Sequence, residues 1–177
     1  HTGTLMPYEL VERAYDCPEE ERRSLDVTWR TLEDFTTDEN ALVAADGSGS
    51  MYWGSKPMPA AVAQSLAIYF AEHNKGKFHN YFLTFSMTPQ LVEIKGEDFV
   101  EKVRYCRTFD ECANTNLEAV FDLILQAAAE NHVPRAEMPA KLYIISDMEF
   151  DCCVANASLT NFVNAKQRFA SFGYALP

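Results

Sequence analysis

Ala41-Leu42-Val43-Ala44-Ala45-Asp46-Gly47-Ser48-Gly49-Ser50 is the stretch on which the reading of the chain turns. Five apolar residues run without a polar break and stop at an aspartate, which suits a short strand covered on both faces. The polar segment that follows alternates oxygen-bearing residues with glycines. Gly47 and Gly49 let the chain curl tightly, and an extended loop turns Asp46, Ser48 and Ser50 to one side.

Outward from this strand the pattern alternates. Val62, Leu66, Tyr69 and Phe70 form an apolar stripe that predicts a helix over 60–73. Residues 79–85 and 90–94 read as strands joined by a short turn at 87–89, which suits an antiparallel hairpin. Helices are expected over 97–105 and from Thr115 to about Asn131, where Leu117, Phe121, Ile124, Leu125 and Ala128 share a face. A buried strand at 141–146 and a last helix at 159–172 complete the series. Strands alternating with helices of this length imply an α/β fold of three layers, a mostly parallel sheet with helices on both faces. The chain stops after a helix where a right-handed crossover calls for another parallel strand. The domain over 41–177 therefore reads as truncated at its C-terminus.

Residues 1–40 have a different character and read as an N-terminal helical extension. Pro7 suits a first helical turn, and Leu10, Val11 and Ala14 follow on one face. Residues 16–24 are charged, contain Pro18 and suggest a turn, with Asp16, Glu19, Glu20 and Glu21 as a solvated run. Leu25, Trp29 and Leu32 recur at helical spacing through residue 35.

Composition narrows the function. The 177 residues carry 15 Lys and Arg against 26 Asp and Glu, a net charge of −11. That argues against direct nucleic-acid binding, which clustered cations drive. An apolar content of 47% excludes a wholly disordered chain. No uncharged apolar run approaches a membrane span, and nothing at the N-terminus resembles a signal peptide. The five cysteines (Cys17, Cys106, Cys112, Cys152 and Cys153) are odd in number and lack zinc-finger spacing. Reduced thiols in an intracellular, cytoplasmic setting are expected. His73, His79 and His132 show no ligand spacing.

Ligands of open α/β sheets bind beyond the carboxyl ends of the strands. Three polar clusters fall there: 46–50, Asn114-Thr115-Asn116, and Ser146-Asp147-Met148-Glu149. All offer hard oxygens, which suit Mg²⁺, with Mn²⁺ or Ca²⁺ as alternatives. Each cluster also has a plainer reading. The 46–50 loop is a turn or phosphate cradle, although it lacks the Gly-Lys-Ser/Thr of a P-loop and the G-x-G-x-x-G of a dinucleotide site. Thr115-x-x-Glu118 is a helix capping box, Asp147 a cap, and Glu149 a rim charge. Met51, Tyr52 and Trp53 either pack the loop onto a helix or wall the site.

Asp46-x-Ser48-x-Ser50, then Thr115, then Asp147, resembles the metal-ion-dependent adhesion site of von Willebrand factor A domains. Met6-Pro7-Tyr8-Glu9-Leu10-Val11, the helix around Trp29, and Ser146-Asp147-Met148-Glu149-Phe150 look like the C-terminal part of TROVE/Ro-type proteins, and still more like the DUF2828 family. The resemblance implies that Asp46, Ser48, Ser50, Thr115 and Asp147 hold the metal, directly or through water. It also implies a central strand at 41–45, with 79–85 and then 90–94 on one side. The strand at 141–146 lies on the other side as an edge open to self-association or to cover by another segment. The expected function is a divalent-metal-binding interaction module whose ion is completed by a carboxylate from a protein or small ligand, without direct nucleic-acid or membrane contact. A metal-dependent hydrolase or phosphoryl-transfer enzyme is the alternative. It lacks an evident base–nucleophile pair, and Lys56 is the nearest cation. A part in an RNA-associated Ro-like protein is the third.

Overall fold

All five residues of β1 (Ala41–Ala45) are buried, and alternate side chains feed two separate cores. Val43 and Ala45 join one, Leu42 and Ala44 the other. A strand with apolar side chains on both faces must be covered on both, and that need organises the molecule. In the computed structural model, residues 5–32, 40–52, 58–86, 88–109, 117–146 and 163–177 are described.

β2 (Tyr81–Thr84), β3 (Leu91–Glu93) and β4 (Lys141–Ile145) complete a sheet of order β3-β2-β1-β4. β1 runs parallel to β2 and to β4, with Ala44 opposite Leu83 and Ile144. β3 is antiparallel to β2, pairing Phe82 with Val92. The chain is α/β with a mostly parallel sheet and one antiparallel pair, and the strand order is the one expected. Among the described residues β4 pairs with β1 alone. Its Tyr143 ring, 37% exposed, stacks on Phe70 at 5.1 Å.

One face of the sheet carries α1 (Pro7–Asp16), α2 (Arg22–Arg30), α3 (Pro59–His73) and α4 (Phe99–Arg107). The other carries α5 (Leu117–Glu130) and a helix, α6, described over 163–171, joined where Phe169 meets Phe121 edge-on. No described helix is long and apolar enough to cross a membrane.

The N-terminal segment is part of this body. Leu10, Val11 and Ala14 of α1, and Leu25 and Trp29 of α2, lie in the same core as α3 and α4. Trp29 stacks on Phe99 at 4.4 Å, and its Nε1–H donates to Glu72 Oε1 at 2.7 Å. Glu72 Oε2 accepts from Lys102 Nζ at 2.7 Å, so one carboxylate links α2, α3 and α4.

Several boundaries differ from expectation. The turn expected over 16–24 is shorter: a single 3-10 turn (Glu19–Glu21) leads directly into α2 at Arg22. Arg22 reaches Glu19 at 3.2 Å and Asp98 at 3.2 Å, an anchor on α4 that residue spacing along the chain does not reveal. α4 begins at Phe99 rather than residue 97 because Asp98 caps it, accepting from the Glu101 N–H at 2.8 Å. Residues 79 and 80 form a turn instead of strand, with Asn80 at φ 71°. The Thr115 start of α5, residues 33–39 and the 159–162 start of α6 lie outside the described residues.

Candidate metal centre

The β1 backbone delivers Asp46 to the carboxyl edge of the sheet. The Asp46 N–H donates to the Ile145 carbonyl at 3.0 Å, extending the pairing with β4 by one residue. On the opposite side Phe85 N–H donates to Ala45 O at 3.1 Å. The loop therefore leaves the sheet between its two parallel neighbours.

Asp46 is 5% exposed. Its Oδ1 accepts from the Ser48 N–H at 2.8 Å, closing an Asx turn that folds the loop back over the strand end. Its Oδ2 accepts from Ser146 Oγ at 2.8 Å, across from β4. Ser48 Oγ and Ser50 Oγ lie 3.2 Å apart. The carboxylate thus holds the Ser48 backbone and the Ser146 hydroxyl, and the Ser48 and Ser50 hydroxyls pair with each other in the same short loop. Among the described residues no lysine or arginine is ion-paired with Asp46. Thr115 and Asp147 lie outside the described residues, as do Lys56, Trp53 and Glu149. Asp147 is the residue after Ser146.

The loop is held from behind. A 3-10 turn (Gly49–Tyr52) takes in Ser50 and continues past the motif, closed by the Met51 N–H donating to Ser48 O at 3.0 Å. Met51 is fully buried, and Tyr52 packs against Tyr15 of α1 at 6.3 Å between ring centroids. Both residues act here as packing. Beside Gly47 a cavity of about 10 Å³ is lined by Thr84, Phe85, Ser86, Gln90 and Phe109. The Ser86 hydroxyl is buried there with no hydrogen-bond partner among the described residues. The space suits one water molecule.

The chemistry open to this set is coordination by hard oxygens. Among the described residues no group of three or more His, Cys, Asp or Glu could hold a metal; those at this loop supply one carboxylate, Asp46, and the hydroxyls of Ser48, Ser50 and Ser146. Of the described cysteines, Cys106 is buried, which pushes its thiol up to about 12 against the pull of Lys102. It is no nucleophile at neutral pH. Sequence reading placed Ser146 in the polar cluster at the strand ends but left it out of the site residues, and so missed its bond to Asp46. Its position directly before Asp147, at the end of the neighbouring strand, is the signal that could have found it.

Among curated proteins, the uncharacterized protein L728 of Acanthamoeba polyphaga mimivirus is similar: 31% identical over 180 residues, covering the whole chain and 31% of the relative. The chain thus spans about a third of the length of that relative. No solved structure matches. A family model described as a domain of unknown function, DUF7788, matches residues 40–177, from the residue before β1 to the last. The chain belongs to the DUF7788 family.

Proposed function

We propose that this chain folds as a von Willebrand A-type domain, akin to DUF2828 and Ro-type C-terminal domains, and binds a divalent cation of the Mg²⁺ type. Asp46, Ser48 and Ser50, with Thr115 and Asp147, hold the ion, and a carboxylate from a partner protein or small ligand completes its coordination. The observation that carries the reading is the buried Asp46 carboxylate. It sits at the carboxyl edge of a parallel sheet, bonded to the Ser146 hydroxyl and the Ser48 N–H, in a loop whose Ser48 and Ser50 hydroxyls lie 3.2 Å apart. A buried carboxylate is costly unless a charge or several hydrogen bonds compensate it, and a hard cation supplies the charge. Hydroxyls suit such an ion and add no charge of their own. When bound, the ion serves as an electrostatic anchor for an anionic group. The protein's part is to fix the oxygens: Ser48 through the Asx turn, Asp46 through Ser146, and Ser50 through the turn that ends on Tyr52.

Calorimetric titration with Mg²⁺ and Mn²⁺ tests this. The protein binds at least one of them, and Asp46→Ala abolishes the heat while leaving the circular dichroism spectrum intact. An ion at a hundredfold excess over its Kd stabilises the fold by about 2.7 kcal/mol, roughly 5–11 °C in a domain of this size. EDTA lowers the melting temperature of protein purified with the ion by a comparable amount. Folded wild-type protein that binds neither ion refutes the reading.

A further inference from the structure

Tyr52 ends the 3-10 turn that carries Ser50, and it is tied to α3, the next helix in the chain. Gln64, in α3, is 6% exposed and uses both ends of its amide. Its Nε2 donates to Tyr52 Oη at 2.9 Å, and its Oε1 accepts from Tyr15 Oη at 2.7 Å. Tyr15 belongs to the last turn of α1. The Arg107 guanidinium, at the end of α4, lies over both rings, 4.4 Å from the Tyr15 centroid and 5.4 Å from that of Tyr52. Three helices therefore grip the turn whose other end presents Ser48 and Ser50. Burial, joined by Tyr52, pushes the Tyr15 phenol up against the pull of Arg107, so Tyr15 remains a donor across the physiological range.

Residue 15 lies outside the span that the DUF7788 model matches, which begins at residue 40. The hydroxyl that closes the relay thus comes from the preceding helical segment and not from the matched domain.

We propose that Tyr15 of α1, acting through Gln64 and Tyr52, is a positioning residue that holds the Ser48–Ser50 hydroxyls in their arrangement at the candidate cation site. The inference rests on the cation reading above. Loss of the Tyr15 hydroxyl frees the Gln64 amide to turn and loosens the loop, so affinity for the ion depends on that one bond.

Two variants of the full chain test this by two readouts. Tyr15→Phe removes one hydroxyl and keeps the ring beneath Arg107. Glu72→Gln weakens the Trp29–Lys102 link, which lies in the same core without touching the loop. The first readout is hydrogen exchange of the Met51 amide in metal-free protein. The second is Mn²⁺ affinity by calorimetry. Tyr15→Phe is expected to speed Met51 exchange and weaken Mn²⁺ binding about fivefold, the weight of one net neutral hydrogen bond. Glu72→Gln leaves both near wild type. Equal Mn²⁺ affinity in wild type and Tyr15→Phe overturns the inference and leaves the cation reading standing. An equal loss in Glu72→Gln also overturns it, because general destabilisation then explains the effect. If wild type binds neither Mn²⁺ nor Mg²⁺, the cation reading fails and the inference falls with it. Faster Met51 exchange in Tyr15→Phe would then show a purely structural tie.

Discussion

Trp29→Ala tests whether the N-terminal helices belong to the folded body. The indole is 6% exposed, stacks on Phe99 at 4.4 Å, meets the Tyr69 ring edge-on at 6.4 Å and donates to Glu72 at 2.7 Å. Truncating a buried tryptophan to alanine costs about 3–5 kcal/mol in lost transfer energy and residual cavity. The total stability of a domain is only about 5–15 kcal/mol, so the loss is large. At about 2–4 °C per kcal/mol for a chain of this size, the melting temperature falls by about 6–20 °C. Trp29→Phe keeps most of the stacking and loses the donor to Glu72, so it costs about 1–2 kcal/mol. Urea unfolding followed by far-ultraviolet circular dichroism measures both values, with a single transition for each variant. A loss below about 1 kcal/mol for Trp29→Ala, or a separate early transition confined to part of the helical signal, would refute the shared core.

Asp98 gives a pH-dependent prediction. Burial alone would raise its carboxyl, but the Glu101 N–H, the Arg22 guanidinium and the charges of Arg22 and Arg104 outweigh it and hold the group below the usual aspartate range. A lowered carboxyl contributes stability that is present above the ordinary value near 4 and is lost as pH falls through the folded value. At neutral pH Asp98→Ala costs about 1–2 kcal/mol, from the cap and a partly exposed ion pair. Asp98→Asn keeps a capping oxygen and costs less. The stability gap between wild type and Asp98→Asn closes in acid, and a gap unchanged at about pH 2 contradicts the assignment. Gly96, at φ 148°, sits where an added Cβ would meet Lys102 N at 2.8 Å. Gly96→Ala is expected to destabilise by about 1–3 kcal/mol in the same urea assay, and a neutral result would show that the backbone there relaxes.

The sheet was legible because its signals are local. An apolar pentapeptide ending at Asp46 can hardly be anything but a doubly covered strand, and the short joint near Pro89 left β2 and β3 little choice but a hairpin. The tight loop after β1 was legible for the same reason, since Asp46 and the Ser48 N–H close an Asx turn and the Ser48 and Ser50 hydroxyls adjoin within five residues. What escaped was held by distant partners. Arg22 starts α2 early because it is anchored on Asp98, which is 76 residues away. Ser146 reaches Asp46 across 100 residues and Tyr15 reaches Gln64 across 49. Neither pairing leaves a periodic trace. Helical periodicity identified α1 and α2, but it could not tell an appendage from a layer of the core. That distinction rests on Trp29 meeting Phe99 and Glu72.

The most direct test of the central claim is anomalous diffraction from crystals of the protein grown with Mn²⁺. The account predicts a single strong anomalous peak within bonding distance of the Ser48 and Ser50 hydroxyls and beside Asp46, lost in crystals of Asp46→Ala. Ordered density for Asp46, Ser48 and Ser50 in their present arrangement, with no anomalous peak at the loop in saturating Mn²⁺, would contradict it.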